Sequence, residues 1–239
     1  MARKAFVIGD PVAHSRSPLI HTHWLRRHAI EGTYQAIHVK QEELAGFIDS
    51  IISNGFAGGN VTVPHKEAAF SRVTFHDETA DAIGAVNTIW IEDGKLRATN
   101  TDSFGFAQNL DERAPGWDRT GTAIVIGAGG ASRAVIHALK SCGFGDIRLA
   151  NRSLERAQEL ASRFGAAVSA HPLSALNEIS SGAGLVVNTT SLGMKGEGDI
   201  PLDMRVLPDE ALVTDVVYVP LETAFLKSAR LAGKAKLTM

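Results

Sequence analysis

The stretch Ile124-Val125-Ile126-Gly127-Ala128-Gly129-Gly130-Ala131-Ser132 limits the possible folds of this chain more than any other. A short apolar run meets a glycine cluster, and a helix-like segment, Ala131–Cys142, follows. Gly127 permits a tight turn, and Gly129 lets a pyrophosphate approach the backbone. The exposed N–H groups and dipole of the next helix then favour the negative charge. The third small position of this fingerprint, Gly or Ala elsewhere, is Ser132 here. A glycine cluster alone is also what any strand-to-helix turn needs. The strand before it and the βαβ pattern around it make dinucleotide binding, through Gly127, Ala128, Gly129, Gly130 and Ala131, the expectation.

That pattern runs through the second half. Ile147–Ala150 reads as a strand and Leu154–Phe164 as a helix with Leu160, Ala161 and Phe164 inward. Leu185–Val187 and Val213–Val217 are continuous apolar strands of the kind a buried parallel sheet requires. The first half reads differently. Ala5–Ile8 and Tyr34–Val39 are strand-like, with a helix from about Pro18 to His28 between them. Gln41–Asn54 carries Leu44, Phe47, Ile48, Ile51 and Ile52 at helical spacing. Gly58–Pro64 is a third strand, closed by Pro64. Ala85–Ile91 and Leu96–Asn100 flank Asp93-Gly94, a strong hairpin signal. A helix over Ser103–Arg113 follows, with Phe104, Phe106 and Leu110 as packing residues. The expected fold is therefore α/β: an N-terminal α/β substrate domain, residues 1–101, and a doubly wound Rossmann-type domain, residues 102–239. A cleft between two such domains is a usual place for ligands.

The end of the second strand of that domain selects the cofactor. An acidic residue there accepts hydrogen bonds from the ribose hydroxyls of NAD. Here the strand ends in Asn151-Arg152-Ser153, with Arg156 one turn on. Two guanidinium groups can clamp a phosphate bidentately. As simple surface cations beside a helix start they would sit unfavourably against its dipole. NADP is the expected cofactor.

Composition excludes several other classes. The 239 residues carry 24 Lys and Arg against 26 Asp and Glu, a formal charge of −2, which gives no footprint for a nucleic-acid backbone. Cys142 is the single cysteine, so an internal disulfide is impossible, and a reducing, cytoplasmic location is expected. No apolar run is long enough to span a bilayer, and Met1–Lys4 leads directly into a strand without a signal-peptide core. His21 and His23 diverge on a helix and no cysteine or carboxylate cluster completes a tetrahedron, so no metal is expected.

Four polar clusters in the first half need a reason. Ser15-Arg16-Ser17-Pro18 precedes a helix. Asn60-Val61-Thr62-Val63-Pro64-His65-Lys66 alternates, so that Asn60 and Thr62 share one face of a strand, with Lys66 early in the next helix. Ala85-Val86-Asn87-Thr88 and Asn100-Thr101-Asp102-Ser103 add amide, hydroxyl and carboxylate groups. Each has a plain structural alternative. Asp102 is a respectable helix N-cap, Lys66 an ordinary solvated lysine, and Ser15, Ser17 and Asn87 turn or capping groups.

In these clusters the chain resembles the shikimate dehydrogenase family. The matching segments of the first half are Ser15–Pro18, Gly59–Lys66, Gly84–Thr88 and Asn100–Asp102. Those of the second are Gly127–Ala131, Asn151–Ser153, Asn188–Gly193 and Asp215–Pro220, in the family's order. The resemblance implies NADP-dependent, reversible reduction of 3-dehydroshikimate to shikimate, a step toward chorismate and the aromatic amino acids. It implies that Ser15, Ser17, Thr62, Asn87, Asp102 and Tyr218 hold the polyol acid, with Asn60 lining the pocket. Lys66 and Asp102 would be the catalytic pair. Glu78, Arg156 and Val216 would lie near the cofactor. The chemistry is consistent with this, because a carboxylate and three hydroxyls call for many short neutral groups plus a cation. The expected partners are small molecules only, with no nucleic acid or membrane, and the chain as a monomer or homodimer.

One departure stands out. Family members continue past the equivalent of Ala235–Met239 into a final helix, with a glutamine for substrate and a glycine for the nicotinamide, and neither can be assigned here. Two rivals remain. A quinate or dual quinate/shikimate dehydrogenase would differ in pocket polarity near Ser15 and Ser17 and would favour a carboxylate at Asn151. A non-catalytic NADP sensor would bind without turnover.

Overall fold

The protein is described by a computed structural model covering residues 3–238. Its contacts divide the chain into two compact units, Met1–Thr101 and Asp102–Met239.

The first unit contains β1 (Arg3–Gly9), α1 (Ser17–Arg27), β2 (Gly32–His38), α2 (Leu44–Ser50) and β3 (Phe56–Val61). It continues with α3 (Lys66–Arg72), β4 (Phe75–His76), α4 (Glu78–Ile83), β5 (Thr88–Glu92) and β6 (Lys95–Thr99). The sheet runs β2-β1-β3-β5-β6-β4, with β2, β1 and β3 mutually parallel and β5 antiparallel to both β3 and β6. Asp93 and Gly94 both have positive φ (51° and 71°), as the two-residue hairpin turn between β5 and β6 requires. Phe6, Ile8, Ile48, Ile51, Val61 and Ile89 form the core. Phe6 meets Phe47 and Phe56 edge-on, and its ring lies so close over β3 that a Cβ on Gly59 would come within 2.6 Å of it.

Several sequence boundaries move. The helix expected over Gln41–Asn54 stops at Ser50, and Ile52 is exposed, because the chain turns through Gly55 to enter β3. The third strand occupies Phe56–Val61, not Gly58–Pro64, so Thr62 lies just beyond its end. The strand expected from Ala85 begins at Thr88, since Ala85 and Val86 are buried as a loop after α4.

The second unit opens with α5 (Asp102–Arg113), followed by β7 (Thr122–Ile126), α6 (Gly130–Ser141), β8 (Asp146–Asn151), α7 (Leu154–Phe164) and β9 (Val168–Pro172). Next come α8 (Leu176–Ile179), β10 (Leu185–Asn188), β11 (Leu212–Asp215), α9 (Ala224–Leu231) and β12 (Ala235–Thr238). The last strand expected at Ala235–Met239 is thus present to Thr238, and Met239 lies outside the described residues. Every pairing is parallel, in the order β12-β11-β10-β7-β8-β9. Counted within the unit this is 6-5-4-1-2-3, the doubly wound dinucleotide-binding topology. Successive residues of β7 serve opposite faces: Ala123 and Val125 pack with α6 and α7, Ile124 and Ile126 with α8 and α9. The strand expected over Val213–Val217 ends at Asp215, where the backbone leaves the sheet. Phe104, expected to pack, is 72% exposed, whereas Phe106 and Leu110 are buried.

Candidate active site

In the first unit the polar clusters converge. Ser15 lies in the loop before α1 and its hydroxyl accepts from the Ser17 N–H at 3.3 Å. Ser17 opens α1 with its hydroxyl toward the Tyr34 phenol. Tyr34 is nearly buried, donates to Asn60 Oδ1 at 2.6 Å and stacks on His21 at 4.1 Å. Burial pushes the phenol up to about 12, against the opposing effect of the Ser17 hydroxyl, and burial lowers His21. From Asn60, Nδ2 reaches Thr88 Oγ1 (3.1 Å) and the Asn87 carbonyl (3.2 Å). The Thr88 hydroxyl donates to Asn87 Oδ1 at 2.8 Å, which also accepts from the Thr101 N–H at 3.1 Å. Tyr34, Asn60, Thr88 and Asn87 therefore belong to one hydrogen-bonded array.

Lys66 is the first residue of α3 and half-buried. Two contacts fix where it starts. The buried His65 before it bonds the Val39 carbonyl through Nε2 at 2.6 Å, and the Lys66 carbonyl accepts from Val86 N–H at 3.0 Å. Thr62 is held by its N–H to Ile8 O (2.8 Å), and its carbonyl accepts the His65 N–H (2.9 Å). Glu78 lies exposed in the first turn of α4.

Asp102 opens α5 in the second unit, half-buried. The glycine turn joins β7 to α6 with Gly127 at φ 109° and its N–H bonded to Ala150 O at 2.8 Å. A Cβ there would strike Thr190 Cγ2 at 2.8 Å, whereas a Cβ at Gly129 would meet nothing within 4 Å. The backbone at Gly129 thus faces open space at a helix N-terminus, with Gly130 and Ala131 in the first turn, and a pyrophosphate fits there. Ser132 does more than fill the third small position: fully buried, it accepts from the Gly129 N–H (3.1 Å) and bonds Thr189 Oγ1 (2.6 Å).

At the end of β8, Asn151 donates to the Ser153 carbonyl at 2.8 Å. Ser153 is the N-cap of α7, accepting from Arg156 N–H at 3.4 Å while donating to Glu155 at 2.9 Å. Arg152 and Arg156 are both exposed. Beyond β11, Val216 donates its N–H to Asn188 O at 3.1 Å, and Tyr218 is 40% exposed. Among the described residues no group of three or more His, Cys, Asp or Glu could hold a metal, and no helix is long and apolar enough to cross a membrane.

The sequence reading missed the joints of these arrays: Tyr34, His65, Ser132, Thr189 and the buried pair Asn188–Asp215. Tyr34 had a usable signal, as an aromatic residue on a strand otherwise poor in large apolar groups. The others depend on contacts between distant segments.

A doubly wound parallel sheet with an open glycine turn at its first crossover defines the second unit as a Rossmann-type dinucleotide-binding fold, preceded by an α/β unit rich in neutral hydrogen-bonding groups. Comparison with known proteins specifies the class. The shikimate dehydrogenase substrate binding domain matches residues 7–89, and shikimate / quinate 5-dehydrogenase matches residues 113–193. The NADP(+) shikimate dehydrogenase of Mesorhizobium japonicum is 60% identical over 231 residues, covering 97% of this chain and 82% of the relative. That of Brucella abortus strain S19 is 56% identical over 234 residues, covering 97% and 81%. Among solved structures, shikimate 5-dehydrogenase from Thermus thermophilus, in complex with NADP(H) and shikimate, superposes with a TM-score of 0.82 at 36% identity, covering 99% of this chain and 87% of that one. Quinate dehydrogenase from Corynebacterium glutamicum, in complex with NAD, gives 0.88 at 30% identity, with 99% and 87% covered. The chain belongs to the shikimate dehydrogenase family.

Proposed function

We propose that this protein catalyses the reversible, NADP-dependent reduction of 3-dehydroshikimate to shikimate, in the cytoplasm. The observation that carries this reading is the array Tyr34–Asn60–Thr88–Asn87, with Lys66 at the head of the next helix. It offers hydroxyls and amides of both polarities plus one ammonium, which is what a ligand with several hydroxyls and a carboxylate requires. Residues 1–101 would serve the substrate and residues 102–239 the cofactor.

Bound NADPH supplies the hydride to the ring ketone carbon, forming its C–H bond. Negative charge then develops on the ketone oxygen. The Lys66 ammonium stabilises that charge and gives its proton, forming the O–H bond. In the reverse direction neutral Lys66 accepts the hydroxyl proton. Asp102 is the partner the family resemblance assigns to Lys66, accepting from a neighbouring ring hydroxyl. Ser15, Ser17 and Tyr218 are assigned to the carboxylate, and Asn60, Thr62 and Asn87 to the rest of the ring. The cofactor would be held by Gly127–Ala131 at its pyrophosphate, by Asn151, Arg152, Ser153 and Arg156 at its 2′-phosphate end, and by Glu78 and Val216.

The array is equally compatible with the extra hydroxyl of quinate, and one solved relative is a quinate dehydrogenase. Asn151, Arg152 and Arg156, rather than a carboxylate at the end of β8, favour NADP and the shikimate reading. The test is absorbance of reduced nicotinamide with shikimate or quinate and NADP or NAD. Formation of NADPH from shikimate, abolished in Lys66→Ala, is the expected result. Faster turnover of quinate with NAD would move the protein to the rival activity. NADP binding without any turnover would reject the enzyme reading.

A further inference from the structure

We propose that Tyr34 is a positioning residue for substrate, holding Asn60 on a hydrogen-bonded chain that runs in one direction only. The proposal deepens the function given above and rests on it.

The direction follows from one backbone group. Asn60 Nδ2 lies 3.2 Å from the Asn87 carbonyl, which can only accept. Flipping the amide would set two oxygens against each other, so Oδ1 must face Tyr34. The phenol proton is thereby committed to Asn60 at 2.6 Å. On the other side Asn60 donates to Thr88 and Thr88 to Asn87 Oδ1. Each proton from Tyr34 to Asn87 Oδ1 has a single assignment.

Tyr34 is suited to be the fixed point of this chain. It is 8% exposed, and its ring lies parallel to His21 within 8°. It therefore reaches Asn60 and presents little surface of its own. Without its hydroxyl, Asn60 Oδ1 loses its donor in a half-buried setting. Asn60 would then meet the ligand in several orientations instead of one. The cost would fall on substrate affinity and leave the cofactor untouched.

The experiment is steady-state kinetics and direct binding of Tyr34→Phe beside wild type, alone and in an Asn60→Ala background. Expected is a rise in KM for shikimate of about tenfold, with kcat within about twofold and NADP affinity unchanged. In the Asn60→Ala background the same change should have much less effect, because Tyr34 acts through Asn60. An unchanged KM, or an equal rise in both backgrounds, overturns the proposal. If Tyr34→Phe unfolds too readily to assay, Thr88→Val cuts the chain at its other joint, and the same split between KM and kcat is expected. Wild-type protein that turns over no shikimate would instead reject the function. Calorimetric binding of shikimate to wild type and Tyr34→Phe then still decides the role of Tyr34, since equal affinities would overturn it.

Discussion

Asn188 donates from its side-chain amide to the Asp215 carboxylate at 2.9 Å, and neither residue exposes any surface. The same carboxylate accepts from the Val217 N–H at 2.9 Å and from the Thr223 hydroxyl at 2.7 Å. It thus ties the end of β10 to the loop bearing Val216 and Tyr218, and that loop to the N-cap of α9. Burial pushes the Asp215 carboxyl above its ordinary value, although all three donors oppose the shift. Thr223→Val removes one donor and the cap on Leu226 N–H together. It should cost about 2 kcal/mol in urea unfolding, while Thr223→Ser should cost less than about 1 kcal/mol. Equal stability of Thr223→Val and wild type would count against the network as a support for the loop.

The glycine turn separates folding from binding. Gly127→Ala combines a positive φ with a backbone-proximal clash at Thr190, and should lose about 2 kcal/mol of stability as well as cofactor. Gly129→Ala adds a methyl group facing open space. It should melt like wild type yet bind NADP about tenfold more weakly, because the methyl occupies the approach of the pyrophosphate. Undiminished affinity in Gly129→Ala would mean that the pyrophosphate lies elsewhere.

Arg152 and Arg156 should read the 2′-phosphate. Arg152→Ala is expected to raise KM for NADP about tenfold and leave KM for NAD nearly unchanged. Parallel losses with both cofactors would identify the arginines as general supports of the fold.

Stability should fall on mild acidification. Burial, with Lys140 adding to it, holds His137 below its ordinary value of 6.5, and burial lowers His21 in the same direction. Both fold neutral. As pH drops through 6.5 the unfolded chain takes up protons that the folded chain resists, so stability present above that pH is lost below it. Melting temperature should decline between about pH 7.5 and about pH 5.5, and His137→Gln should remove part of that slope and leave the share of His21. Identical slopes in wild type and His137→Gln would contradict this.

Local signals were legible where they are self-sufficient. The turn from β7 to α6 is written in adjacent glycines, the β5–β6 hairpin in Asp93-Gly94, and Leu154–Phe164 in its periodicity. Signals failed where distant chain decides. Ile51 and Ile52 continue a helical pattern, yet the route into β3 ends the helix before them. Strand β9, with Ser169, His171 and Pro172 on the edge of its sheet, has no apolar run to reveal it. The clusters around Asn60 and Asn87 could be picked out as polar residues in unusual places. Their joint, Tyr34, stands 26 residues from Asn60 in the chain, and its link to Asn60 is formed only when β2 and β3 both align on β1.

The close approach of Phe6 to Gly59 bears on how natural variation in this chain should be interpreted. A side chain at Gly59 would strike the Phe6 carbonyl as well as a ring that packs against two others, and Asn60 is the very next residue on that strand. A mutation with no polar atom in it would therefore present as a loss of substrate recognition. Sorting variants by chemical type alone would file it under the wrong cause.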